Sequence, residues 1–178
     1  MTTPVSVTGS PRPRVVLIGP PGAGKSSIGR RLAHSLNCEL VDSDQMIEQR
    51  EGAACGEVFS SLGEPAFREL EAEVVKQALC SRGVVSLGGG AVLDEGTRDL
   101  LDRHTVIFLV VSPEEGVART LGDANRPVLA AADPLAHYAE LLELRRPYYE
   151  QVANLKVRTD KRSPQQVVGA ILGFIDTL

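Results

Sequence analysis

The stretch Gly19-Pro20-Pro21-Gly22-Ala23-Gly24-Lys25-Ser26 decides how the rest of the chain is read. It fits the spacing G-x-x-x-x-G-K-[ST]. Directly before it stands Val15-Val16-Leu17-Ile18, a β-branched apolar run of the buried-strand type. After it a helix is expected from Lys25 to Leu36. Strand, glycine-rich turn and helix in that order make a cradle for an anion. The glycines let successive backbone amides turn inward, and the helix presents its positive end. In such a loop the lysine reaches the β- and γ-phosphates as a mobile point charge, and the serine hydroxyl ligates Mg2+. The expected ligand is a nucleoside triphosphate with Mg2+.

Outward from this loop, short apolar runs alternate with helical periods. Strands are expected at Leu40–Val41, Val84–Leu87, Val106–Val111 and Leu155–Val157. Helices are expected at Glu64–Cys80, Glu95–Asp102, Pro113–Leu121, Leu135–Val152 and Pro164–Asp176. Continuous apolar strands separated by helices predict a parallel sheet covered on both faces, an α/β doubly wound domain. Ligands of such sheets sit beyond the carboxyl ends of the strands. The residues to watch are therefore Gly19–Ser27, Asp42–Asp44, Gly88–Gly90, Ser112 and Arg158–Pro164.

Composition narrows the choice. The chain has 178 residues, 43% of them hydrophobic and 24% charged, which suits one soluble domain rather than a disordered or collagenous chain. A formal charge of −4 argues against a nucleic-acid partner, and 4% aromatics with no Trp argues against a base-stacking platform. Cys38, Cys55 and Cys80 are scattered, so reduced thiols and a cytoplasmic location are expected. No run approaches the ~18 apolar residues of a membrane span, and no membrane partner is expected. Residues 1–13 hold three prolines and no apolar period, and read as a flexible arm before a single domain at 14–178.

Neither D-x-x-G nor N-K-x-D occurs, so a switch GTPase is disfavoured. The strand-end acid comes early, at Asp42, which favours a small-molecule or nucleoside-monophosphate kinase. In Asp42-Ser43-Asp44, continued strand geometry would point both carboxylates the same way, one toward the metal and one toward the acceptor. Asp44 is then a candidate catalytic base, or simply an N-cap for a helix over Gln45–Arg50. Gly88-Gly89-Gly90 offers close approach to the backbone and free amides, or is only a tight turn. Arg68, Arg126 and Arg145 are candidates for holding anionic groups through their planar forks. Arg126 lies in a loop of small residues, with a lid expected at about 119–134. His34, His104 and His137 lack ligand spacing, and Tyr148–Tyr149 reads as core.

The ordered set G-P-P-G-A-G-K-S, V-D-S-D, F-R-E-L-E, S-L-G-G-G-A-V, N-R-P-V-L and R-R-P-Y-Y-E-Q-V-A resembles the shikimate kinase family from about residue 14 to 175. The resemblance implies a P-loop fold of the nucleoside-monophosphate-kinase type with a five-stranded parallel sheet. It implies a cytoplasmic transferase that moves the γ-phosphate of Mg-ATP to the 3-hydroxyl of shikimate, on the route to chorismate and the aromatic amino acids. Position by position, it gives Gly22, Ala23, Gly24, Lys25, Ser26 and Ser27 to the ATP phosphates, and Ser26 and, through water, Asp42 to the metal. Asp44, Arg68, Arg145 and the triplet Gly88, Gly89 and Gly90 go to shikimate, with Gly89 as backbone donor. Arg126 is the lid arginine on the phosphates, and Arg119, Arg162 and Pro164 flank the adenine. Lys25, Asp44 and Arg126 are the implied catalytic set, and a monomer is expected.

Overall fold

Five parallel strands run in the order β2-β3-β1-β4-β5, where β1 is Val15–Ile18, β2 Leu40–Asp42, β3 Val84–Ser86, β4 Val106–Val110 and β5 Leu155–Arg158. The computed structural model describes residues 10–121 and 132–178. β1 is central, with Val16 in register with Val85 on one side and Val106 on the other. All four of its residues are buried, as a strand covered on both faces requires.

Alternate side chains feed two cores. Val15, Leu17, Ile107, Leu109 and Val157 pack against Ile28 and Leu32 of α1 (Lys25–Ser35) and Val167 and Ile171 of α8 (Pro164–Ile175). Val16, Ile18, Val85 and Phe108 face the other way. They meet Val75 and Ala78 of α4 (Glu64–Ala78), Leu101 of α5 (Glu95–Leu101) and Tyr149 and Val152 of α7 (Pro134–Val152). The helix α6 (Pro113–Thr120) follows β4. The expected α/β doubly wound parallel sheet is therefore the observed one.

Two helices lie outside the expectation or change it. α2 covers Ser43–Glu51 and starts at the end of β2 with no intervening turn. Its N-cap is Asp42, not Asp44: Asp42 Oδ1 accepts from the amides of Asp44 at 2.9 Å and Gln45 at 3.3 Å. Strand geometry thus stops at Asp42, and the expectation that both carboxylates share one side of a continuing strand is corrected. α3, Cys55–Leu62, was not expected, because Gly56, Ser60 and Ser61 dilute its apolar period. α2, α3 and α4 share a third core of Ile47, Val58, Phe67 and Val74.

Leu17 sits fully buried at the middle of the central strand, so Leu17→Ala leaves a cavity there. A loss of about 2–5 kcal/mol is expected. Leu144 on α7 is 65% exposed, and Leu144→Ala should stay within about 0.5 kcal/mol. Urea unfolding of both variants checks the contrast, and equal losses would refute the assignment of the core.

Candidate active site

The phosphate loop turns tightly because two of its glycines occupy the left-handed region. Gly22 has φ 79° and Gly24 has φ 94°. A Cβ at Gly22 would also stand 2.7 Å from the Gly116 carbonyl of α6. Gly24 is the N-cap of α1, with no side-chain cap and no acidic residue in the first turn. The helix start is therefore open and electropositive. Lys25 folds back over the loop, its Nζ donating to the carbonyls of Gly19 at 2.7 Å and Pro20 at 3.0 Å.

At the mouth of the loop, Ser26 Oγ donates to Asp42 Oδ2 at 3.1 Å. Asp42 thus joins α2 to the phosphate loop: one oxygen caps the helix and the other meets Ser26. A cavity of about 280 Å3 is lined by Gly22, Gly24, Lys25, Ser26, Ser27, Asp42, Asp44, Gly89 and Arg119. A neighbouring one of about 290 Å3 is lined by Ala23, Gly24, Ser27, Arg119, Arg162 and Pro164. Gly24, Ser27 and Arg119 are common to both, so the two form adjoining compartments.

Gly88-Gly89-Gly90 follows β3, and none of the three takes a positive φ. The glycines are needed for space. A Cβ at Gly88 would stand 2.5 Å from Asp44 Oδ1 and 2.9 Å from Glu71 Oε2. At Gly89 it would meet Pro21 at 3.0 Å and Arg145 Nη1 at 3.3 Å, and at Gly90 it would collide with the Arg68 guanidinium. Asp44, Arg68 and Arg145, from three different helices, converge on this one turn. The amides are not all free, as had been expected: Gly88 N–H donates to the buried Ser43 Oγ at 3.0 Å. The triplet is a packed surface with one amide already taken.

The guanidinium groups are held by neighbours. Arg68 Nη1 donates to Glu71 Oε1 at 2.8 Å, and the group lies over the Phe59 and Phe67 rings. Arg145 is 6% exposed. The Nε atoms of both arginines lack a hydrogen-bond partner among the described residues. Arg119 donates to the carbonyls of Gly22 at 3.1 Å and Thr159 at 3.2 Å, and to Thr159 Oγ1 at 3.1 Å. That ties α6 and the start of the C-terminal segment to the phosphate loop. Arg126 and most of the expected lid lie outside the described residues, as do residues 1–9 of the arm.

The shikimate kinase family model spans residues 21–176. The chain belongs to that family. It is 64% identical over 165 residues to a shikimate kinase of Corynebacterium efficiens, covering 93% of this chain and 98% of the relative. A shikimate kinase of Corynebacterium glutamicum is 60% identical over 164 residues, with 92% and 97% covered. A shikimate kinase from Acinetobacter baumannii, solved in complex with shikimate, superimposes with a TM-score of 0.89 at 34% identity, covering 94% of each chain. The chain is thus a phosphotransferase of the P-loop, nucleoside-monophosphate-kinase-like fold, with ATP and Mg2+ as its phosphoryl donor system. The oxygen donors at hand fit that ion. Mg2+ takes hard oxygen ligands and keeps several waters, and a hydroxyl beside a carboxylate supplies the former.

Sequence reasoning passed over Glu71 and Ser43 in this shikimate kinase site. Glu71 is 3% exposed on the same stripe of α4 as Phe67, Val74, Val75 and Ala78. An acid in the middle of an apolar stripe, three residues after Arg68, was the signal that could have found it. Burial pushes its pKa above the ordinary glutamate value, and the Arg68 charge opposes that only in part. A carboxyl with a raised native pKa stabilises the fold most fully below its unfolded value, near 4.5, and that contribution fades as pH rises through the native one. Glu71→Gln lacks this dependence. Its thermal midpoint, measured at pH 5 and pH 7.5, should fall further behind the unsubstituted protein at the lower pH. A gap that narrows on acidification would contradict the raised pKa.

Proposed function

We propose that this chain transfers the γ-phosphoryl group of Mg-ATP to the 3-hydroxyl of shikimate, through the residues assembled at the carboxyl edge of the sheet. The observation that carries the reading is the glycine triplet, where a carboxylate and two guanidinium groups meet directly beside the phosphate loop. The triphosphate lies along Gly22, Ala23, Gly24, Lys25, Ser26 and Ser27, with main-chain amides and the positive end of α1 facing its oxygens. The adenine occupies the compartment of Arg119, Arg162 and Pro164. Ser26, and Asp42 through water, hold Mg2+, which supplies positive charge against the β- and γ-phosphates.

On the acceptor side, Arg68 and Arg145 grip the shikimate carboxylate, and the Gly89 amide serves a ring hydroxyl. Asp44 orients the reacting hydroxyl and takes its proton as the oxygen bonds to the γ-phosphorus. The bond from that phosphorus to the β–γ bridging oxygen breaks, and ADP leaves. Lys25 and Arg126 balance the charge that builds on the transferred group. The chemistry occupies one domain, about 14–178, that acts as a monomer in the cytoplasm without nucleic-acid or membrane partners. Among the described residues no helix is long and apolar enough to cross a membrane.

ADP release coupled to a dehydrogenase, with shikimate as acceptor, tests the reading. Asp44→Asn should lose turnover by about 10²- to 10⁴-fold, with ATP affinity little changed. Arg145→Ala should raise the shikimate KM about 10- to 100-fold, because it deletes a charge-assisted contact worth about 1.5–3 kcal/mol. Turnover with AMP but not with shikimate would overturn the assignment of the acceptor.

A further inference from the structure

Tyr149 is completely buried on α7, yet its ring ends in a hydroxyl that donates to the Gly89 carbonyl at 2.5 Å. The Arg145 guanidinium, one helical turn earlier on the same face, lies near enough for its charge to act on that oxygen. The ring has little freedom to move. It stacks on Phe108 of β4 with centroids 4.8 Å apart and planes at 29°, which seats it on the sheet. One rigid side chain therefore holds the middle glycine of the triplet, beside a buried arginine. A Cβ at Gly89 would stand 3.3 Å from Arg145 Nη1, so the glycine and the arginine are themselves neighbours.

The phenol donates its hydrogen bond from a buried position, where it counts for more than at the surface. The Gly89 carbonyl that it holds belongs to the planar Gly89–Gly90 peptide, so this part of the turn cannot rotate away from α7. Arg145 lies beside the same turn. Burial pushes the phenol up to about 12, against the pull of the Arg145 charge, so the hydroxyl keeps the proton that it donates to Gly89 at neutral pH.

We infer that Tyr149 is a positioning residue for the acceptor: its hydroxyl holds the Gly89–Gly90 peptide of the turn beside the Arg145 guanidinium, so that a carboxylate and a ring hydroxyl of the same small molecule are met together. The inference rests on the reading that Gly89 and Arg145 face shikimate. Tyr149 touches no reacting atom in this account. Its signature is a change in acceptor recognition with donor recognition preserved.

Tyr149→Phe removes the oxygen and keeps the stacked ring. With Mg-ATP and shikimate, this variant should show a shikimate KM raised about 10-fold and an ATP KM within about 2-fold of the unsubstituted enzyme. Val152→Ala serves as a stability control: it thins the same core, three residues further along α7, and touches neither Gly89 nor Arg145. It should lower the melting temperature and leave both KM values unchanged. A shikimate KM within 2-fold in Tyr149→Phe overturns the inference, as does an equal rise in Val152→Ala. Arg145→Ala separates the two levels of the argument. If it leaves the shikimate KM unchanged, the site reading falls and the inference falls with it. If it raises KM while Tyr149→Phe does not, only the role of Tyr149 is lost.

Discussion

Two charged side chains withdrawn from water at one end of the sheet set the terms for the rest of the molecule. Glu71 is 3% exposed and Arg145 6%. Taking an ion out of water costs several kcal/mol unless partners replace its hydration. Partners close around them: Arg68 bonds to Glu71, with aromatic rings beneath its guanidinium, and Arg145 packs against the Gly89 turn. The crowding explains the glycine triplet better than backbone freedom does. Gly88, Gly89 and Gly90 keep ordinary negative φ, and each is glycine because a side chain would strike one of these groups.

Strand order makes the convergence possible. β1 lies between β3 and β4, and β2 lies outside β3. The phosphate loop after β1, the triplet after β3 and the start of α2 after β2 therefore emerge in adjacent positions on one edge. α7 then closes the arrangement with two tyrosines eleven residues apart, about three turns, which places them on one stripe. Tyr138 donates to the Pro21 carbonyl of the phosphate loop and Tyr149 to the Gly89 carbonyl of the triplet, both at 2.5 Å. A single helix thereby fixes donor-side and acceptor-side loops relative to each other.

The strands and the phosphate loop were legible because their signals are local. Val15–Ile18 is apolar without a break, and the lysine loop has a fixed spacing. α3 was invisible because its eight residues include Gly56, Ser60 and Ser61, and it is held by packing on α2 and α4 rather than by its own period. The acid pair was misread for a related reason. Asp42 is the last residue of β2, and nothing nearby shows that its carboxylate also caps the next helix, so that the strand does not run on to Asp44. Arg68 and Arg145 were picked out, but their convergence on the triplet spans distances of tens of residues in sequence. Glu71, Ser43 and the hydroxyl of Tyr149 were passed over because their importance lies in partners far along the chain.

The two halves of the cleft use different kinds of donor, and this has a physical consequence. The phosphate loop offers backbone amides, a helix terminus and a lysine. The side chains around the glycine triplet are buried, mutually dependent and in one case poised to take up a proton more readily than usual. Protonating Glu71 would free Arg68 from its nearest anion and alter how strongly that guanidinium competes for a bound carboxylate. A proton-sensitive group therefore lies beside the glycine triplet. The division follows from geometry: main-chain dipoles can line a loop without being buried as charges, whereas the guanidinium groups at the triplet are brought inside among partners.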